Sequence, residues 1–265
     1  MAGAVGAYNA SSLFFENPVK FEEDILSELG LKPSPISTQI VEAEFLVDYV
    51  NSIVSAFGIL ANLADDMRHL QRNEIGEIGE FFEAKQVGSS TMPLKRNPIN
   101  FENVKSMWKE FMPRILTIHM DQISEHQRDL TNSASMRFIP EILAGFYMST
   151  VRMERVMSSL VVDKHNMHKN FDLNKNLIAA EPLYILLAAN GHQDAHEYVR
   201  DMTLKAQITR KPLIQLVKND KSIKPYFKKF NKKQLEIISN PEKYVGIAAK
   251  KAEMVCEHWK KEFGL

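Results

Sequence analysis

The segment 87–98, VGSSTMPLKRNP, concentrates side chains that could do chemistry in a stretch unsuited to helix or strand. Its glycine, its serines and its two prolines favour a loop, and the second proline disfavours helix at the residue before it. The loop carries the hydroxyls of Ser89 and Ser90 and the ammonium group of Lys95. An amphipathic pattern begins at about Phe101, so the sequence predicts a loop that leads directly into a helix.

This set of side chains would suit an elimination reaction. Such a reaction needs a base for a carbon-bound proton, a cradle for a carboxylate that gains negative charge, and an acid for the leaving group. The backbone N–H groups of 88–90 could form an anion-binding nest, with Lys95 and Asn97 as further donors. Ser89 could act as the base only in a strongly cationic, water-poor site. A plain surface loop before a helix is the alternative interpretation.

A second polar cluster, RDLTNSASMR at 128–137, lies at another predicted helix start. Arg128 and Arg137 flank three hydroxyl side chains, one of which is Ser133. Arginine side chains and hydroxyls at a helix N-terminus suit a phosphate group. Helix capping with surface salt bridges would explain the same residues, so this segment alone leaves both interpretations open.

Two histidine pairs could each present one face to a metal ion. His165 and His168 are three residues apart, and His192 and His196 are four apart. Neither pair has the acidic or cysteine residues that would complete a ligand set, and the chain has no HExxH motif, P-loop or dinucleotide fingerprint. The sequence predicts no metal and no organic cofactor.

Three long apolar seams predict the helices that must position these loops. They cover 46–67, 104–118 and 139–160, with apolar residues at alternating spacings of four and three. Pro113 predicts a kink in the second seam. Helices this long point to a bundle.

After about residue 170 the predicted helices become short. They cover 176–189, 193–207, 212–218 and, at the end of the chain, 245–263. We therefore predict an all-α protein with a long-helix bundle over 1–170 and a smaller helical domain over 171–265.

The composition is that of an ordinary globular chain of 265 residues, with 45% hydrophobic and 25% charged residues. Lys+Arg and Asp+Glu are both 33, so we expect neither nucleic acid nor a membrane as partner. The single cysteine, Cys256, cannot form an internal disulfide, which favours a reducing, cytoplasmic location and a buried thiol. No run is expected to approach the length of a transmembrane helix, and no secretory signal is recognisable.

The string GSSxMPxKxNP is the signature of the fumarase/aspartase superfamily, and 88–98 match it at every fixed position. Within that superfamily the chain resembles the adenylosuccinate lyases. The resemblance rests on Val87 and Thr91 around the signature, on RDLTNS at 128–133, and on PISTQ at 35–39 and GAVG at 3–6. These segments occur in that family's order, and the resemblance covers nearly the whole chain.

The resemblance implies a helical bundle and the cleavage of adenylosuccinate to AMP and fumarate in purine biosynthesis. It also implies cleavage of the succinylated carboxamide ribotide. Neither a metal nor an organic cofactor is implied. The family forms homotetramers whose active sites are each assembled from three subunits, so a homo-oligomer is expected.

The resemblance also assigns roles to individual residues. Ser89 would be the catalytic base, with Ser90 as the second candidate. Lys95 and Asn97 would hold the carboxylate on the fumarate side, and Glu102 would pair with a catalytic histidine. The other substrate contacts implied are Gln39, Met92, Arg128, Ser133 and Arg137.

The family's N-terminal domain, two further bundle helices and its general-acid histidine precede the GAVG stretch. The resemblance thus implies the C-terminal portion of a lyase, inactive alone. One alternative is another superfamily member, of the carboxymuconate cycloisomerase or argininosuccinate lyase type. A phosphate-binding role for RDLTNS would disfavour it. The other alternative is a non-catalytic helical scaffold.

Overall fold

A computed structural model describes residues 1–82, 95–124, 127 and 130–265. Helices make up most of these residues, which confirms the predicted all-α class. The chain divides into two compact units, Met1–Asp163 and Lys164–Leu265. The sequence-based boundary at residue 170 lies within the first helix of the second unit.

The first unit is built mainly from helices, with one pair of two-residue strands. Its elements in chain order are α1 (Pro18–Glu28), α2 (Ala43–Leu70), β1 (Ile78–Gly79), α3 (Ile99–Phe111), α4 (Arg114–Met120), α5 (Phe138–Ser158) and β2 (Val161–Val162). Short 3-10 turns cover Ser11–Leu13 and Ser135–Arg137.

Helix α2 runs up the bundle, α3 and α4 run down it in succession, and α5 runs up again. Lys105 of α3 pairs with Asp65 of α2, whereas His119 of α4 lies 3.4 Å from the Asn51 amide. Higher numbers on α3 and α4 therefore meet lower numbers on α2, so the two segments are antiparallel. Helix α5 returns alongside them, and β2 after it pairs antiparallel with β1.

The apolar seams form the core of this bundle, as predicted. Phe57 of α2 is fully buried, with its ring 6.3 Å from that of Phe111 and 5.6 Å from that of Phe146. The remaining first-seam residues are buried or packed against this core. Thr150, a member of the third seam, does not join the core: it is exposed, and its hydroxyl donates to the Phe146 carbonyl.

Prolines interrupt two stretches that the sequence predicted as continuous helices. At Pro113 the chain breaks into α3 and α4, a larger effect than the predicted kink. The predicted helix 176–189 instead begins at Ala180, after a turn at Ala179. Proline has no N–H to donate four residues back, so Pro182 cannot bond the Ile178 carbonyl that ends the preceding helix.

Helix α2 is long and apolar enough to span a membrane by length and composition alone. The expectation that no run approaches that length is therefore wrong. Core helices of soluble proteins pass the same test, and one face of α2 packs against α3, α4 and α5. Only 28% of the most apolar 18-residue stretch of α2 is buried, however, so its other faces present apolar side chains outward.

The second unit consists of short helices around its own core. They are α6 (Lys164–Ile178), α7 (Ala180–Ala189), α8 (Ala195–Thr209), α9 (Leu213–Asn219), α10 (Lys224–Phe227), α11 (Lys232–Ser239) and α12 (Ala248–Phe263). Leu183, Leu187 and Leu213 are fully buried there. The Tyr198 hydroxyl donates to Asp220 at 3.0 Å, and burial raises the pKa of Tyr198.

The terminal helix α12 corrects one expectation. All of its residues are exposed, and Cys256 is an exposed thiol, not a buried one. The amphipathic pattern of α12 predicted an apolar face, but pattern alone does not show whether another element covers that face.

An ion-pair cluster joins α2 to α3. The Asp65 carboxylate accepts hydrogen bonds from Lys105 at 2.7 Å and from Arg68 at 2.8 and 3.0 Å. These bonds, with that from Lys105 the largest influence, lower the pKa of Asp65 to about 2. The charged form of Asp65 therefore stabilises the packing of the two helices.

We expect Asp65→Asn to lower the free energy of unfolding by about 1 kcal/mol at neutral pH, since partly exposed pairs contribute little more. The depressed pKa of Asp65 means that its contribution is complete above about pH 4 and is lost as pH falls towards about 2. Urea denaturation across this range should show a weaker acid dependence in the variant. Asp66→Asn, at the exposed neighbouring position, is the control. Equal acid dependence in Asp65→Asn and wild type would contradict this account.

Candidate functional site

Four of the predicted site residues cannot be placed. Ser89, Ser90, Met92 and Arg128 lie outside the described residues, and their roles stay predictions. The other predicted residues fall into two groups, one near each end of the bundle.

The first group lies where the chain enters α3. Lys95 is exposed and Asn97 is half-buried, in the four residues before the helix. The Asn97 carbonyl accepts from the Ile99 amide at 2.9 Å, which starts the turn into α3. Glu102 is exposed in the first turn of α3, and its carboxylate has no hydrogen bond or ion pair within the described part of the chain.

Gln71, the residue directly after α2, fixes the path of the chain that leads to this group. Its side-chain oxygen accepts from the Glu80 amide at 2.9 Å, and its side-chain nitrogen donates to the Arg96 carbonyl at 3.3 Å. The Arg96 guanidinium also lies 5.2 Å from the centre of the Phe82 ring, a cation–π distance. The residues on either side of 83–94 are thus held together at the end of α2.

The second group surrounds a cavity of about 800 Å³ at the start of α2. Gln39 and Ser133, far apart in sequence, both line it. Its apolar walls include Phe45, Tyr49 and Met136. A volume of this size with aromatic walls and a few polar groups is typical of small-molecule sites.

Residues that the sequence analysis did not single out complete this cavity. Asp121 lines it, is 8% exposed, and has one carboxylate oxygen, Oδ2, that is buried without a hydrogen-bond partner in the described chain. The Asn132 side chain donates to the Asp121 carbonyl at 3.0 Å and so ties the RDLTNS segment to the end of α4. The predicted contact Arg137 is not among the residues that line this cavity; it is exposed at the end of the 3-10 turn before α5.

The two groups lie at opposite ends of the same helix. The cavity contacts the first turns of α2, whereas Gln71 at its other end holds Arg96. Helix α2 has 28 residues, which at 1.5 Å per residue separates its ends by about 40 Å. One chain therefore does not bring Gln39 and Ser133 next to Lys95 and Asn97.

Among the residues that the structure describes, no three histidine, cysteine or acidic side chains are placed to hold a metal ion. The chemistry available to the described groups is that of an ammonium, amides, hydroxyls and carboxylates. These groups can bind and orient an anionic small molecule.

Solved structures with the same arrangement define the fold. A 3-carboxy-cis,cis-muconate lactonizing enzyme from Pseudomonas putida matches 96% of this chain and 57% of its own, with a TM-score of 0.75 and 23% identity. A fumarate lyase from Mesorhizobium sp. BNC1 matches 87% of this chain and 50% of its own, with a TM-score of 0.69 and 20% identity. The fold is the helical bundle of the fumarase/aspartase superfamily.

Sequence comparisons narrow this class. The family described as Lyase matches residues 1–112, and the family described as Adenylosuccinate lyase C-terminal matches residues 124–245. The adenylosuccinate lyase of Pyrococcus horikoshii is 35% identical over 97% of this chain and 56% of its own length. That of Thermotoga maritima is 30% identical over 99% of this chain and 58% of its own. The chain belongs to the adenylosuccinate lyase family, and it spans about half the length of these relatives.

Spin labels at the two groups should report their separation directly. We expect Gln39→Cys and Lys95→Cys, introduced together after Cys256→Ser, to give an electron–electron distance above about 30 Å, set by the length of α2. Dilution with unlabelled chain removes distances between copies. A main distance below about 20 Å in the diluted sample would mean that one chain does close the site.

Proposed function

We propose that this chain supplies part of the active site of a carbon–nitrogen lyase. The enzyme would release fumarate from adenylosuccinate and from the succinylated carboxamide ribotide in cytoplasmic purine biosynthesis. The observation that carries the proposal is the shared cavity of Gln39 and Ser133. Family resemblance assigns both residues to the nucleotide side of the substrate, and they are 94 positions apart in the chain.

The residues take complementary parts in this reaction. Ser89 removes the carbon-bound proton next to the carboxylate that gains negative charge. Lys95 and Asn97 bind that carboxylate with a cation and an amide donor, which stabilises the charge as it develops. Arg128 and Arg137 bind the phosphate. They hold it equally well in the ground state and in the transition state, so they contribute to substrate binding.

Proton delivery to the leaving nitrogen requires a further group. In this proposal it is a histidine from the N-terminal portion of the family's fold, oriented by the exposed carboxylate of Glu102. Without a general acid the reaction loses about 10²–10⁴-fold in rate. The chain alone should therefore show no turnover.

The separation of about 40 Å between the two groups makes assembly part of the proposal. A small substrate cannot span that distance, so the Lys95 end of one copy would meet the cavity of another. The outward apolar faces of the bundle provide the contact surface: Ile59 of α2 is 73% exposed, and Tyr147 and Met148 of α5 are 67% and 61% exposed. Surfaces of this kind favour association. We propose a homotetramer, as in the family.

A complementation assay tests the reaction. The chain is mixed with the separately expressed N-terminal portion of the Pyrococcus horikoshii enzyme, and fumarate release from adenylosuccinate is measured. We expect the mixture to release fumarate. With Ser89→Ala or Lys95→Met the rate of release should fall at least 100-fold. Arg137→Ala should raise KM more than it lowers kcat, because a phosphate contact is made throughout the reaction. Lys109→Met, at an exposed lysine of α3, is the matched control.

Each failure of this assay has a distinct meaning. Activity that survives Ser89→Ala would make Ser90 the base. Equal turnover of succinyl substrates without phosphate would favour another superfamily enzyme, such as an argininosuccinate lyase. A mixture that folds and associates but releases no fumarate from either class of substrate would favour the non-catalytic scaffold.

A further inference from the structure

Helix α3 begins without a capping side chain of its own. Its N-cap residue is Pro98, which makes no side-chain hydrogen bond. The first N–H groups of any α-helix lack partners within the helix, and leaving them unpaired is costly where the helix end is buried. Phe101, in this first turn, is fully buried. The turn therefore needs an acceptor from elsewhere in the chain.

Glu80 provides that acceptor from about twenty positions upstream. Its Oε1 accepts from the backbone amides of Asn100 at 2.8 Å and of Phe101 at 3.0 Å, and its Oε2 accepts from the Asn100 side chain at 2.6 Å. All three bonds are made to a carboxylate at the positive end of the helix dipole, where hydrogen bonds are stronger than between neutral groups. Glu80 thus acts as the missing cap of α3.

The same contact extends to α5. The Asn100 side-chain oxygen accepts from Arg152 at 3.0 Å, so the cap is bonded to a second helix through Asn100. The Glu80 backbone is itself held by Gln71, which also donates to the Arg96 carbonyl. Glu80 therefore connects α2, α3 and α5 around the residues that lead into α3.

We propose that Glu80 is a positioning residue that fixes the segment 95–101. In this position it orients the Lys95 ammonium and the Asn97 amide towards a dicarboxylate, the class of ligand to which fumarate belongs. The ligand class rests on the proposed function, whereas the cap itself does not. Glu80 does not contact the reacting atoms in this proposal and acts only through α3 and the residues before it.

Hydrogen exchange tests the cap on the chain as it is. In Glu80→Ala we expect the Asn100 and Phe101 amides, resolved by NMR, to exchange at least about tenfold faster, since a charge-assisted acceptor is lost. Glu80→Gln keeps one acceptor oxygen and should retain part of the protection. The matched control is Glu74→Gln, an exposed carboxylate whose side chain is 74% exposed. Unchanged exchange in folded Glu80→Ala and Glu80→Gln would overturn the proposal.

Ligand binding separates positioning from a general loss of structure. In the complemented mixture, calorimetric titration should show fumarate binding weakened about tenfold in Glu80→Gln and AMP binding unchanged, because the cavity that would hold AMP belongs to another copy and does not contact Glu80. Equal weakening of both ligands would indicate a merely structural role and overturn the proposal. If the wild-type mixture binds fumarate but does not turn over substrate, the lyase reaction is refuted and Glu80 remains a positioning residue. If the wild-type mixture does not bind fumarate, the proposed ligand class is overturned.

Discussion

The length of α2 is the constraint on which the rest of this structure depends. Its 28 residues form one uninterrupted helix, so the segments attached to its two ends are kept about 40 Å apart. Packing of Phe57 against α3 and α5 holds those helices alongside it. Each end therefore gathers a separate set of polar groups, and no local adjustment of a loop can bring the two sets together within one chain.

The two ends of α2 differ in structure. At the start of α2 a cavity of about 800 Å³ combines aromatic walls with Gln39, Ser133 and the buried carboxylate of Asp121. At the other end Lys95 and Glu102 are exposed and Asn97 is half-buried, and the backbone that carries them is held by Gln71 and Glu80. One end is thus an open cleft lined by aromatic and polar side chains, and the other is an edge whose backbone is held by hydrogen bonds. This division suits a site that closes only when copies of the chain associate, which we have proposed.

The sequence predicted the helices well because their apolar spacing is regular over many turns. It predicted the breaks less well, since the effect of a proline depends on the carbonyl four residues earlier, as at Pro182. Cys256 was placed wrongly because an amphipathic pattern does not reveal what covers a helix. Glu80 was missed because its partners are about twenty residues away. One signal was present: a helix that starts after Pro98 has no capping side chain and needs a remote acceptor.

Mixing two inactive variants would test most directly whether the site is shared between copies. Lys95→Met removes the cation at one end of the bundle, and Arg137→Glu reverses the charge at the other. Each variant alone should be inactive in the complemented assay. If Lys95 and Arg137 of a site come from different copies, co-assembled equal amounts should recover about a quarter of wild-type activity, since each residue is intact in half of the copies. No recovery in verified mixed oligomers would show that both residues act within one chain and would contradict the account.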